Sequence, residues 1–183
     1  MKPIFITGNA SKAAYLSRYL GVELAHQKFN LDEIQSTDLQ EIVEHKVRQA
    51  YELSGRQPVL VEDVALEFTA LSGLPGPFIK FFVDAENGLE KLCRMLDSFS
   101  DRTATARCVF GYYDGGRVKL FEGSLTGVIA NVPRGESGFG WDKIFCPDGY
   151  GGQTRAELTP KGDEETYLRI KPFSELKQFL SPA

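Results

Sequence analysis

Ile4-Phe5-Ile6-Thr7 is a short apolar run that leads through Gly8-Asn9 directly into residues whose apolar positions recur at helical spacing. A buried strand turning on glycine straight into a helix constrains the architecture more than any other feature of the chain. The helix is predicted from about Ser11 to Leu20, with Leu16 and Leu20 on one face and Gly21 as its stop. A second helix is predicted over Leu39–Leu53, where Leu39, Ile42, Val43, Val47, Ala50 and Leu53 keep the helical period and Gly55 follows. Pro58-Val59-Leu60-Val61 then reads as another buried strand, ending at Glu62-Asp63. Strand, helix, helix, strand in this order points to an α/β sheet.

Beyond the loop Ser72-Gly73-Leu74-Pro75-Gly76-Pro77, a helix is expected near Leu89–Leu96 with Asn87 as its N-cap. Two β-rich stretches, Thr103–Tyr113 and Val118–Ala130, flank Asp114-Gly115-Gly116 and predict an antiparallel hairpin. Phe173, Leu176 and Leu180 suggest a closing helix. The 183 residues show no repeat or linker-like shift in composition, so one domain over 1–183 is expected, with a site in a groove between tightly packed lobes.

A net charge of −4 argues against a surface built to hold a nucleic-acid backbone, which needs clustered Lys and Arg. No stretch approaches the ~20 apolar residues that span a bilayer, and the first residues are too short an apolar run for a signal peptide. Cys93, Cys108 and Cys146 are widely spaced and odd in number, with no CxxC pair, which suggests neither a disulfide framework nor a zinc site. The cytoplasm is the expected compartment.

Several polar residues stand out against this background. Lys12 falls in the first turn of a helix, where the macrodipole disfavours a cation and welcomes an anion. With the N–H groups of Gly8, Asn9 and Ala10 and the hydroxyls of Thr7 and Ser11, it makes a candidate phosphate cradle, although the Walker spacing is absent. The alternative is a capped turn with a solvated lysine. Lys46 lies at the edge of the second helix's apolar stripe, either as a ligand-facing cation or as a lysine whose stem covers apolar surface. Glu62 and Asp63, at the carboxyl end of a strand, are candidates to hold a metal or orient water, with Glu33 as a further acidic candidate, the alternative for each being a solvated surface carboxylate. Phe139-Gly140-Trp141-Asp142 sets aromatics beside a carboxylate, a composition suited to stacking on a base and accepting from its edge, or to a loop pinned by buried aromatics. His26 and His45 are read as surface residues.

In this order the pieces resemble the inosine triphosphatase family over nearly the whole chain. Thr7-Gly8-Asn9-Ala10-Ser11-Lys12 resembles its TGNxxK phosphate segment, and Val61-Glu62-Asp63 its acidic metal-binding segment. Gly73-Leu74-Pro75-Gly76-Pro77-Phe78-Ile79-Lys80 is similar to its GLPGPYIK stretch. Phe139-Gly140-Trp141-Asp142, with Phe145 and Pro147-Asp148-Gly149-Tyr150, is similar to its base-binding motif.

The resemblance implies an elongated mixed central sheet flanked by helices in two lobes with a cleft between them, and a homodimer. It implies a hydrolase that splits inosine or xanthosine triphosphate into monophosphate and pyrophosphate and so cleanses the nucleotide pool. Mg²⁺, or Mn²⁺ as a substitute, would be held by Glu33 and Asp63. Thr7, Gly8, Asn9, Lys12, Lys46 and Lys80 would bind phosphate, Phe139, Gly140, Trp141, Asp142 and Arg169 the base, with Asp63 or Glu62 orienting water. Three departures accompany it. Tyr15 stands where the family has Glu, Val64 where it has a small hydroxyl residue, and Asp163 with Tyr167-Leu168-Arg169 where it has Lys and Ser-His-Arg. A related enzyme with shifted base preference, or a nucleotide-binding sensor without turnover, are the other readings.

Overall fold

The computed structural model describes residues 2–21 and 23–181, apart from the side chain of Ser11. A mixed seven-stranded sheet, flanked by helices, has the order β2-β1-β3-β5-β6-β7, with β4 paired to β3. The expected mixed sheet is therefore present. The chain divides into two compact units, Met1–Asp63 with Cys108–Glu122 and Pro172–Ala183, and Val64–Arg107 with Gly123–Lys171.

In the first unit β1 (Ile4–Ile6) runs parallel to β2 (His26–Gln27) and to β3 (Val59–Phe68), with Phe5 opposite both His26 and Leu60. Val59, Leu60 and Val61 are all buried, as expected of a strand covered on both faces. Helix α1 (Ala10–Leu20) buries Ala13, Leu16 and Leu20 along one stripe. Helix α2 (Leu39–Leu53) starts where predicted because Asp38 accepts from the N–H groups of Gln40 and Glu41. Its Val43 approaches Gly111 of β5 (Thr103–Tyr113) so closely that a Cβ there would stand 2.6 Å from Val43 Cγ1. Helix α6 (Phe173–Leu180) joins an aromatic cluster in which Phe173 stacks on Tyr19 at 5.1 Å. Tyr15 belongs to this cluster, with its ring 4.7 Å from Tyr19 and its hydroxyl 3.1 Å from that of Tyr19.

One expectation is corrected here. Glu62 and Asp63 lie in the middle of β3, which continues through Val64-Ala65-Leu66-Glu67 to Phe68. Ala65, Leu66 and Phe68 are buried, so hydrophobic burial carries the strand past the charged pair that seemed to end it.

In the second unit β4 (Pro75–Gly76) pairs antiparallel with the far end of β3 and follows a cis Leu74–Pro75 bond. The segment after it is helical, α3 (Ile79–Val83), and leads to α4 (Gly88–Arg94). Asn87 precedes α4 in a left-handed conformation and forms no side-chain cap, contrary to expectation. Gly88 explains the tight corner, since a Cβ there would collide with the Phe82 carbonyl. Gly88→Ala is expected to cost about 1–3 kcal/mol, read as a melting point lowered by several degrees.

Thr103–Tyr113 forms β5 as predicted, and β6 spans Lys119–Ile129. The short connection through Gly115 at φ 97° fits antiparallel neighbours. β7 (Phe145–Pro147) pairs with the end of β6, with Val128 opposite Cys146. Helix α5 (Pro160–Ile170) had not been foreseen. Its local signal is Thr159 accepting from the Gly162 N–H, with Pro160 in the first turn. No helix of the described residues is long and apolar enough to cross a membrane.

Candidate active site

The first unit gathers most of the charged candidates. Thr7 Oγ1 accepts from the Asn9 N–H at 3.1 Å, and Asn9 Oδ1 from the Lys12 N–H at 3.2 Å. Asn9 thus caps the start of α1 while the turn shapes the end of β1. The Ser11 hydroxyl lies outside the described residues. A cavity of about 220 Å³ opens beside this turn, lined among others by Thr7, Gly8, Glu33, Lys46 and Glu62.

The adjacent acidic residues Glu62 and Asp63 of β3 hold different lysines. Glu62 Oε1 is 3.4 Å from Lys12 Nζ, and Asp63 Oδ2 is 2.7 Å from Lys46 Nζ. Glu33 Oε1 also lies 2.7 Å from Lys46 Nζ, so residues from a loop and from β3 converge on one cation. Burial alone would lower the Lys46 pKa, but Asp63 and Glu33 outweigh it and hold the ammonium above its ordinary value. Lys46 is only 8% exposed. A lysine that merely snorkels leaves its head in water, whereas this one buries it between two carboxylates.

Among the described residues no group of three or more His, Cys, Asp or Glu is placed to hold a metal ion. Glu33 and Asp63 nevertheless suit Mg²⁺ by donor chemistry. They present hard oxygens converging on a single cation, and Mg²⁺ is commonly held by one or two carboxylates with the remaining positions left to water and phosphate.

The second unit builds its own cluster. Phe139, 67% exposed, stands at a turn between Gly138 (φ 79°) and Gly140 (φ 60°). Its N–H donates to Asp142 Oδ2 at 3.0 Å. The other Asp142 oxygen accepts from Arg155 Nη1 at 2.6 Å, and Arg155 Nη2 donates to Asp163 Oδ1 at 2.6 Å. Arg155 Nε donates to the Thr166 hydroxyl at 3.0 Å. Burial pushes the Asp142 carboxyl upward, while Arg155 and the Phe139 N–H draw it down.

Asp142 is buried with both oxygens engaged, so these contacts make it a support for the Phe139 turn. Trp141 packs edge-on against Phe145 at 5.6 Å, which pins the same loop. No local pattern marks Arg155, because its role depends on two carboxylates, 13 residues before it and 8 after it. Lys80 on α3 and Arg169 in the last turn of α5 are exposed, and their side chains form no hydrogen bond or ion pair among the described residues.

The histidines are both exposed, as expected. The three cysteines are buried and none is in a disulfide, and burial raises Cys93 to about 11, so it does not serve as a thiolate nucleophile near neutral pH.

The chain is 45% identical over 185 residues to the inosine triphosphate pyrophosphatase of Emericella nidulans, covering 98% of this chain and 97% of that one. It is 42% identical over 186 residues to the protein of the same name from Yarrowia lipolytica, covering 99% and 96%. The solved structure of a HAM1 protein from Coxiella burnetii superposes with a TM-score of 0.88 at 27% identity, covering all of both chains. The Ham1 family model matches residues 3–179, so the resemblance carried by the sequence motifs is borne out and the chain belongs to the Ham1 family.

Proposed function

We propose that this protein hydrolyses inosine or xanthosine triphosphate-type nucleotides to the monophosphate and pyrophosphate, and thereby cleanses the nucleotide pool. The observation that carries the reading is the convergence of Glu33, Lys46 and Asp63 at 2.7 Å beside a cavity walled by the Thr7-Gly8 turn. The relatives' names, inosine triphosphate pyrophosphatase, support the substrate class.

In this reading water attacks the α-phosphorus, the bond to the bridging oxygen breaks, and pyrophosphate carries away the electron pair. Asp63, with Glu62 beside it in β3, orients the water. Thr7, Gly8, Asn9 and the cations Lys12, Lys46 and Lys80 bind the phosphates, and their positive charge stabilises the leaving group as its charge grows. Glu33 and Asp63 would hold Mg²⁺, or Mn²⁺ in its place, which when bound supplies further neutralisation of phosphate charge. Phe139 stacks on the base with Gly140 and Trp141 forming its loop, Asp142 fixes that loop, and the exposed Arg169 meets the base edge.

The pairing of Asp163 with Arg155 favours a change in base preference. The lysine that the family resemblance leads one to expect is replaced by a carboxylate already committed to a buried guanidinium. Stacking alone discriminates weakly between bases, whereas lost hydrogen bonds to a base edge can cost up to ~10⁴-fold in selectivity. A preference for ITP over GTP and ATP smaller than the relatives' is therefore expected.

Pyrophosphate release from ITP, XTP, dUTP, GTP and ATP, with and without Mg²⁺, tests both statements. A strong ITP preference that survives Arg169→Ala would overturn the account of the base, and intact binding without turnover on any nucleotide would make the protein a sensor. A cytoplasmic homodimer completes the proposal. The buried cysteines, none of them in a disulfide, support a reducing compartment, and sedimentation velocity would check for a species of twice the chain mass.

A further inference from the structure

Lys28 has no part in the reading above, yet the backbone holds it beside the phosphate turn. Ile6 pairs in parallel register with Gln27, and the Thr7 N–H donates to the Gln27 carbonyl at 2.8 Å. The next side chain lies across Gly8, since a Cβ built there would stand 3.1 Å from Lys28 Cδ and 3.3 Å from Cε. Gly8 itself is a wall of the cavity, as are Phe29 and Asn30 directly after Lys28. The ammonium, one bond beyond Cε, is thereby carried on a stem that lies against the Gly8 wall of that cavity.

Its charge also differs in state from that of its neighbours. Lys12 faces Glu62, and Lys46 is shared by Glu33 and Asp63, whereas Lys28 forms no ion pair among the described residues. A cation without a protein counterion, held against the glycine of a phosphate turn, has an incoming polyanion as its natural partner. We infer that Lys28 is a further triphosphate-contacting residue, reaching the phosphate chain over Gly8. The inference rests on the proposal that the Thr7-Gly8-Asn9 turn takes phosphate.

The test uses the whole chain, ITP as substrate and inorganic tripolyphosphate as competitive inhibitor at fixed Mg²⁺. Lys28→Met keeps an unbranched stem over Gly8 and removes the charge, and Lys28→Arg keeps the charge. Lys28→Met is expected to raise the KM for ITP and the Ki for tripolyphosphate about five- to tenfold, the range of a charge-assisted contact. The melting temperature should stay within about 2 °C, Lys28→Arg should recover most of the affinity, and the difference should shrink at high salt. An unchanged Ki in Lys28→Met, or equal losses in the Met and Arg variants, would overturn the inference while leaving the phosphate turn in place. A wild-type enzyme that hydrolyses ITP but is not inhibited by tripolyphosphate would instead remove the phosphate reading of the turn.

Discussion

Asp63→Asn is expected to fold as the wild type does and to release pyrophosphate at least ~100-fold more slowly, the typical cost of losing a group that acts electrostatically or in proton transfer in the transition state. The change is nearly isosteric, and an amide oxygen can still accept from Lys46, 2.7 Å away in the native protein. Glu33, on the same ammonium, still neutralises it, so the fold loses little. What disappears is one of the two negative charges converging on Lys46 and, in the proposed mechanism, the carboxylate that would orient water. The measurement is kcat at saturating ITP and Mg²⁺, with circular dichroism to verify the fold. Activity within a few-fold of wild type would remove Asp63 from the mechanism. Turnover restored in full by excess Mg²⁺ would confine its role to holding the metal.

The second large effect concerns stability. Arg155 is 4% exposed and joins Asp142, equally buried, to the half-exposed Asp163. Removing one partner of a buried ion pair leaves an uncompensated charge, which costs roughly 3–5 kcal/mol. Arg155→Met should therefore lower the melting temperature of a chain of this size by about 10 °C or more. Adding Asp142→Asn to Arg155→Met removes the stranded carboxylate while leaving an oxygen to accept the Phe139 N–H at 3.0 Å in the native turn. The double variant should thus be more stable than the sum of the single losses implies. A loss below about 1 kcal/mol in Arg155→Met, or strict additivity in the cycle, would show that the buried network contributes little.

Much of the architecture was legible because it is written locally. Leu39–Leu53 carries both its period and its Asp38 cap, and Thr103–Tyr113 and Phe173–Leu180 are fixed by pattern and by the residues that bound them. The motif residues Thr7, Gly8, Lys12, Glu33, Lys46 and Asp63 were legible as well, and the fold brings Glu33, Lys46 and Asp63 onto one point although they come from a loop, a helix and a strand.

The sequence by itself determined the α/β class and the Ham1-type motifs, because periodicity and short motifs act over a few neighbouring positions. Only the tertiary structure decided that β3 runs on past Glu62-Asp63, that Asp142 supports the Phe139 turn, and that Arg155 ties Asp142 to Asp163. It also decided that Lys28 lies over Gly8. Each of these depends on which residues distant in sequence share a buried space. Burial there sets the energy of a charge by its partners, which no local pattern along the chain records.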